Sequence, residues 1–260
     1  MTAVLPLARR ELIRFFRQRS RVVGAVVPPI FVWLLIGTGF GGSFRHAAGT
    51  DFLGYFFPGT IVLVVLFAAI FSTISVIEDR REGFLQGVLV SPAPPSSIAL
   101  GKVLGATALG LLQGAVLLAA IPFLSLEVDA AALLAALGVL SLVSIALTGL
   151  GFSIAWMLES TQGFHAIMNL FLIPLWLLSG AFFPVEGAPL WLQRAMAVNP
   201  LTYGVAALRR ALAPNTAEAL PSLPLSAAVT AVFAAAMLAV SVLVVARYPT
   251  GPDRRLRRTR

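Results

Sequence analysis

The sequence predicts an all-α membrane protein, and three observations support this fold class. The 260 residues are 58% hydrophobic and only 12% charged, which leaves too little polar surface to cover a soluble globule. Several long apolar stretches follow one another, each close to the ~20 residues that an α-helix needs to cross hydrocarbon. The stretches are continuous, whereas a membrane β-barrel would show short alternating segments. We therefore expect one transmembrane domain over residues 1–260, built from six transmembrane helices.

The apolar runs place the six spans along the chain. In order they are 22–40, 55–77, 98–124, 131–157, 164–184 and 225–247. The segment 185–224 between the last two is too long for a simple turn, and its first half is too apolar for a solvated loop. We expect two short external helices there, over 189–198 and 201–212, separated by Asn199-Pro200.

The segment before the first span predicts an amphipathic interface helix over residues 7–21. Ala8, Leu12, Phe15 and Phe16 fall on one helical face, and arginines surround the rest. A helix of this composition favours the boundary between lipid headgroups and acyl chains. We therefore expect it to lie in the membrane interface on the cytoplasmic side.

The basic residues are distributed unequally between the two sides of the predicted topology. Fifteen of nineteen fall on one side, and they are Arg9, Arg10, Arg14, Arg17, Arg19, Arg21, Arg80, Arg81, Lys102, Arg247, Arg254, Arg255, Arg257, Arg258 and Arg260. The other side has Arg45, Arg194, Arg209 and Arg210. The bias predicts that both termini are cytoplasmic, with the chain in the inner (cytoplasmic) membrane of the cell. Because these arginines flank apolar helices, we expect membrane lipids rather than nucleic acid as their partners.

The predicted spans contain few groups that could do chemistry. No Asp, Glu or Arg lies deep in any span, and Lys102 lies near an end, where its amine can snorkel to water. Ion-coupled transporters generally need an ionisable group at mid-membrane. The chain also has no cysteine and no Walker-type phosphate loop, so we expect no catalytic, cofactor-binding or metal site. This pattern favours a permease driven by a separate energy source, with a secondary transporter working alone or a non-transporting anchor or regulatory subunit of an ATPase complex as alternatives.

A charged segment, 78–82, follows the second span and leads into an apolar stripe. Its five charges would cost about 3 kcal/mol each in hydrocarbon, so we expect them to project into the cytoplasm. Read as one helix over 78–92, the segment places four apolar residues along one stripe, namely Phe84, Leu85, Val88 and Leu89. That face predicts docking to a protein, with rest on the membrane surface as the alternative. The candidate docking residues are Glu78, Asp79, Arg80, Arg81, Glu82, Gly83, Phe84, Leu85 and Val88.

Three blocks of sequence resemble the type-2 ABC exporter permeases, a family of drug, lipid and polysaccharide export subunits. The blocks are residues 78–83 with Pro92 and Gly101-Lys102, residues 178–184, and residues 199–203 with Arg209. The resemblance extends over nearly the whole chain. It implies a permease that is not itself an enzyme, which moves a lipid, a hydrophobic drug or a glycan outward. Two copies of a separate ABC ATPase subunit would bind ATP and Mg, and a second permease would complete the exporter. We expect the second permease to be identical, with a different one as the alternative.

The resemblance also implies roles for particular segments. Residues 7–21 would be the interface helix, 78–92 the coupling helix that rests on the ATPase, and 185–213 an external gate that re-enters the outer leaflet. The interface-helix residues are Arg10, Leu12, Phe15 and Phe16, and the external gate residues are Phe182, Phe183, Pro184, Asn199, Pro200, Tyr203 and Arg209. Two alternatives stay open here. Asn199 could simply cap the second external helix, and Arg209 could bind outer-leaflet phosphates or snorkel.

Overall fold

The fold was analysed in a computed structural model that describes residues 3–41, 52–90, 94–124, 128–185, 188–213 and 221–248. Within these ranges the chain is almost entirely helical and contains no strand. Six helices are long and apolar enough to cross a membrane. The predicted all-α class with six spans is confirmed.

Ten α-helices follow one another in the described ranges. They are α1 (Val4–Arg17), α2 (Arg19–Gly41), α3 (Phe52–Arg81), α4 (Phe84–Leu89), α5 (Pro95–Leu118), α6 (Ala130–Met157), α7 (Thr161–Trp176), α8 (Leu190–Val198), α9 (Pro200–Leu212) and α10 (Leu223–Arg247). A 3-10 turn, Ile121–Phe123, follows α5, and a π-turn, Leu177–Ala181, follows α7. The candidate spans are α2, α3, α5, α6, α7 and α10.

Helix α3 forms the centre of the bundle, and it packs against α2, α5, α6 and α7. Nearly all of α3 is buried, whereas α2 and α10 leave most of their apolar surface exposed to whatever surrounds the bundle. Along α3, Tyr55 and Asp79 are 24 residues apart, which corresponds to about 36 Å of helix. The two groups of functional candidates described below therefore lie at opposite ends of the bundle, one beside α1 and the other beside α9.

Glycines let α5 approach two neighbouring helices closely. A Cβ on Gly101 would lie 2.7 Å from the Leu7 side chain of α1, and a Cβ on Gly114 would lie 2.8 Å from Leu140 of α6. Such small residues allow backbones to approach in lipid. These α5 glycines therefore serve packing within one chain.

The predicted interface helix over 7–21 is wrong in its end and in its buried face. Helix α1 stops at Arg17, and the residues after Gln18 already belong to the first span. Its buried residues are Leu7, Glu11 and Phe15, whereas Phe16 is half-exposed. The reason is that α1 packs lengthwise on α5, so its apolar residues are divided between a protein face and a free face.

The predicted single helix over 78–92 is also wrong. Residues 78–81 are the last turn of α3, and Gly83 has φ 78°, a left-handed conformation that ends the helix before α4 begins. Pro92 lies outside the described residues. The charges did not have to leave the protein, because other helices of the same chain neutralise them.

The two external helices match the prediction closely, since α8 covers Leu190–Val198 and α9 covers Pro200–Leu212. Asn199 ends one helix and begins the next, and Pro200 occupies the first turn of α9, where its missing N–H is tolerated. Their position in an outer leaflet stays a prediction.

Candidate functional site

Eight charged side chains meet beside α1, where the end of α3 and the start of α5 also lie. We name this group the α1 ion cluster. Its cations are Arg10, Arg14, Arg21 and Lys102, and its anions are Glu11, Glu78, Asp79 and Glu82. Four positive and four negative charges give the cluster no net formal charge. Local neutrality explains how so many charges are accommodated among apolar helices.

Asp79 is the centre of the cluster and is completely buried. Arg10 donates to both of its carboxylate oxygens, each at 2.8 Å, and Arg14 and Lys102 also donate to it. This hydrogen bond to Asp79 is the main reason that the pKa of Arg10 is raised above its ordinary value. Arg10 also lies 3.6 Å from the centre of the Phe84 ring, a cation–π contact that joins α4 to α1.

A second group of contacts ties α5 to α1. Lys102 Nζ donates to Glu11 Oε1 at 2.8 Å and to Ser75 Oγ at 3.2 Å, and Ser75 Oγ donates to Glu11 Oε2 at 2.6 Å. All three side chains are buried. The expectation that Lys102 snorkels to water is therefore wrong, because a carboxylate from a different helix neutralises it inside the protein.

The cluster opens to the surface on its other side. Arg14 donates to Glu78 at 2.9 Å, and Arg21 at the start of α2 also pairs with Glu78. Glu82, whose side chain is 61% exposed, lies 3.4 Å from Arg14. The cluster thus connects α1, α2, α3 and α5 and ends at an exposed carboxylate.

Arg80 and Arg81 lie outside the cluster and cap the end of α6 instead. Arg80 donates to the carbonyls of Trp156 at 2.7 Å and Leu158 at 3.0 Å, and Arg81 Nε donates to the carbonyl of Glu159 at 3.1 Å. Cations are favourable at helix C-termini, where the last carbonyls lack partners within the helix.

The apolar stripe of α4 packs inward. Leu85 is 2% exposed and belongs to the main core, and Val88 and Leu89 pack against that core. The expectation that this stripe faces a partner is therefore wrong for Leu85, because the chain buries it against itself. Four exposed residues lie in α4 or directly beside it, and we name them the α4 patch: Glu82, Gln86, Gly87 and Val90.

At the opposite end of the bundle, helix α7 is interrupted. Pro174 cannot donate a backbone hydrogen bond, the α-helix gives way to a π-turn after Trp176, and Gly180 leaves helical geometry with φ 73°. Helix interruptions of this kind leave carbonyl oxygens without their usual N–H partners. Side chains from α3 and α9 supply those partners.

Asn199 both caps α9 and holds the interrupted helix. Its Oδ1 accepts from the Leu201 N–H at 2.9 Å, and its Nδ2 donates to the Leu175 carbonyl at 2.7 Å. Thr202 of α9 donates to the Leu178 carbonyl at 3.3 Å. The capping alternative is confirmed for Asn199, and the contact with α7 adds a second role.

Arg209 is buried against the interruption. It donates to the Gly180 carbonyl at 3.1 Å and to the Tyr55 carbonyl at 3.3 Å, and it lies 4.0 Å from the centre of the Tyr55 ring. The Tyr55 hydroxyl donates to the same Gly180 carbonyl at 3.2 Å. Neither expectation for Arg209 holds, since the residue is only 7% exposed and its guanidinium donates to backbone carbonyls inside the protein.

Only some of the remaining gate candidates contact one another. Phe182 meets Phe52 and Phe56 edge-on, with ring centres 6.3 and 5.6 Å apart, and Phe183 contacts Phe182. Tyr203 instead donates to the Ala197 carbonyl of α8 at 3.0 Å on an exposed surface. Pro184 follows these phenylalanines and is only partly buried.

Sequence reasoning missed Glu11, Ser75 and Arg14 as members of a site. One signal was available, because Glu11 is the only acidic residue among the first fifty and it lies between Leu7 and Phe15 on one helical face. An acid on an apolar face requires a partner. Lys102, the only lysine of the chain, was the matching signal on α5.

Comparison with known proteins identifies the family to which the sequence is similar. The profile of the family described as ABC-2 type transporter matches residues 2–213. Nodulation protein J of Rhizobium leguminosarum bv. trifolii is 27% identical over 195 residues, which cover 73% of each chain. The daunorubicin resistance ABC transporter permease protein DrrB1 of Streptomyces coeruleorubidus is 25% identical over 219 residues, 80% of this chain and 74% of its own. The "Probable multidrug ABC transporter permease YbhR" of Escherichia coli K12 is 28% identical over 155 residues, 59% of this chain and 42% of its own.

Proposed function

The chain belongs to the ABC-2 type transporter family, and from this premise we propose how it works as the membrane-spanning permease subunit of an ABC exporter. It is a multi-pass membrane protein that works with an ABC ATPase. In our proposal two ATPase copies bind ATP and Mg, and a second, identical permease completes the complex. The chain lies in the inner membrane with both termini and the α1 end in the cytoplasm.

The α1 ion cluster is the observation that carries this proposal. It joins α1, α2, α3 and α5 through charged hydrogen bonds that are buried or partly buried, and the α4 patch follows directly after it. Charged hydrogen bonds in a dry site are strong and directional, so these helices move together. A displacement applied at the α4 patch would therefore reach several spans at once.

We assign the ATPase contact to the α4 patch, with Glu82 as its link to the cluster. ATP binding favours a closed ATPase pair, and contact with that pair favours one conformation of the permeases over the other. The patch replaces most of the residues that the sequence suggested for docking. Of those, Asp79 and Leu85 act from inside the protein, where they hold the patch in position.

The substrate class is proposed from the relatives. Two of them are named for multidrug transport or daunorubicin resistance, and this chain has few charges in its spans away from the α1 end. A hydrophobic or amphipathic drug is therefore the first substrate to test, before a lipid or a glycan. Daunorubicin serves as the probe.

Site-specific photocrosslinking tests the ATPase contact and identifies the partner subunit in the same experiment. Val90 in the α4 patch is 87% exposed, and Val198 at the end of α8 is 84% exposed, which makes them a matched pair at opposite ends of the bundle. We expect a photoreactive phenylalanine at position 90 to form an adduct with an ABC ATPase in intact cells, identified by mass spectrometry. The same group at position 198 should form none.

A transport measurement adds the functional consequence. Truncation of an important interface residue commonly costs over 1 kcal/mol, roughly a fivefold change, so Val90→Arg should slow ATP-driven daunorubicin uptake into inverted vesicles at least that much. Val198→Arg should transport normally. Equal crosslinking at both positions, or normal transport by Val90→Arg, would contradict the assignment of the patch.

A further inference from the structure

We propose that a cleft between α1 and the end of α3 binds the phosphate headgroup of an anionic phospholipid. Exposed apolar side chains of α1 would contact the acyl chains of the same molecule. The proposal requires only that α2 spans a membrane, so it does not rest on the exporter activity proposed above, although Glu82 belongs to both the cleft and the α4 patch.

The cleft has a volume of about 530 Å³, enough for a phosphate headgroup with its glycerol. Four arginines line it together with Ile13 and Glu82, and they are Arg9, Arg10, Arg14 and Arg17. Arginine is well suited to phosphate because its planar fork can donate two parallel hydrogen bonds.

The charge balance of the cleft is positive. Arg10 and Arg14 are already neutralised by Asp79 and Glu78. Arg9 and Arg17 are exposed, and neither makes an ion pair or a side-chain hydrogen bond with any residue that the structure describes. Two guanidinium groups at the cleft thus lack a counter-charge, and a phosphate would supply one.

Apolar side chains lie beside these two arginines. Arg9, Ile13 and Arg17 are spaced four residues apart and form one stripe of α1. Ile13 is 46% exposed, and the neighbouring Leu5 and Phe16 are 76% and 51% exposed. An amphipathic anion satisfies both features, whereas free phosphate would leave the apolar surface in water.

The connection to α2 places the cleft at a membrane surface. Gln18, which also lines the cleft, is the single residue between the end of α1 at Arg17 and the start of the first span at Arg19. The cleft therefore cannot lie far from the headgroups of the leaflet that α2 enters. This position favours a lipid over an acidic segment of a soluble protein.

Lipid retention by the purified chain provides the test. The full chain is reconstituted in nanodiscs of equal parts phosphatidylcholine and phosphatidylglycerol, transferred to detergent, and analysed by native mass spectrometry. We expect phosphatidylglycerol to be retained in preference to phosphatidylcholine. An arginine at an anionic surface changes binding about fivefold, so Arg9→Gln with Arg17→Gln should weaken retention roughly 25-fold.

A matched control removes two charges elsewhere. Arg194→Gln with Arg247→Gln changes two exposed arginines that do not line the cleft, and it should retain phosphatidylglycerol like the wild type. Arg9→Lys with Arg17→Lys keeps both positive charges and should recover most of the retention. A normal elution profile in size-exclusion chromatography confirms that each variant is folded.

Three results would overturn the proposal. The first is equal retention by Arg9→Gln/Arg17→Gln and the control variant. The second is displacement of the lipid by inorganic phosphate at equal concentration, which would show a simple phosphate site. The third is binding of a polyglutamate peptide at these arginines in preference to phosphatidylglycerol, which would assign the cleft to a protein.

Discussion

Replacement of Lys102 by methionine offers a direct measurement of the α1 ion cluster. Methionine keeps the length and apolar stem of lysine but removes the charge that lies 2.8 Å from Glu11 and also pairs with Asp79. The cluster would then hold four carboxylates against three cations. The excess charge would fall on Glu11, which is 4% exposed and would keep only Ser75 and a 3.4 Å contact with Arg10.

The expected loss follows from this imbalance. Removing one partner of a buried ion pair costs about 3–5 kcal/mol, and we expect about 3 kcal/mol for Lys102→Met because Asp79 retains two arginines. Glu11→Gln alone should cost about 1.5 kcal/mol, since it removes charged hydrogen bonds but leaves Lys102 beside Asp79. The double variant is neutral again and should lose only about 2 kcal/mol, well short of the additive value.

The assay is the free energy of unfolding in mixed micelles titrated with SDS. Leu104→Met, at a 44% exposed position on the same helix, is the control and should change stability by less than ~0.5 kcal/mol. A Lys102→Met variant as stable as this control would refute the reasoning. So would a double variant whose loss equals the sum of the two single losses.

Two further predictions use the same assay. Gly180→Ala should destabilise the protein by about 1 kcal/mol, because alanine resists the φ of 73° that interrupts α7. Gly138→Ala should instead stabilise it by roughly 0.5–1 kcal/mol, because this α6 position is exposed and has open space where the Cβ would lie. A loss at both positions would show that backbone conformation is not the cause. Arg80→Gln should cost about 2 kcal/mol through the two carbonyls of α6 that it binds, and an unchanged stability would mean that water caps that helix equally well.

The spans and the external helices could be predicted from the sequence because they depend on local properties. Apolar length fixes a span, and the Asn199-Pro200 pair marks the junction of α8 and α9 regardless of what surrounds it. The contents of the α1 ion cluster could not be predicted in this way. Arg10 and Asp79 are 69 positions apart, and no periodicity in either segment indicates that they meet.

Periodicity also cannot identify what covers an apolar face. The sequence pattern predicts that the stripe of α4 faces a partner protein and that the apolar face of α1 faces the membrane. Leu85 and Phe15 are nevertheless each 2% exposed, because this chain buries them against itself. Gly83 had a related effect, because a single left-handed residue divides a run that otherwise looks helical. Such a conformation depends on where the two flanking helices are held, which is information from the whole fold.

The backbone carbonyls at the interruption of α7 restrict how the far end of the bundle can open. Three of them bind side chains of α9, namely Asn199, Thr202 and Arg209. Pulling α9 away would leave the Leu175 and Leu178 oxygens without these partners, at a cost of about 1–3 kcal/mol for each, while the Gly180 carbonyl would keep only the Tyr55 hydroxyl. Any passage created there must therefore carry α9 and the tip of α7 together as one rigid piece, with the flexing confined to the chain on either side of it.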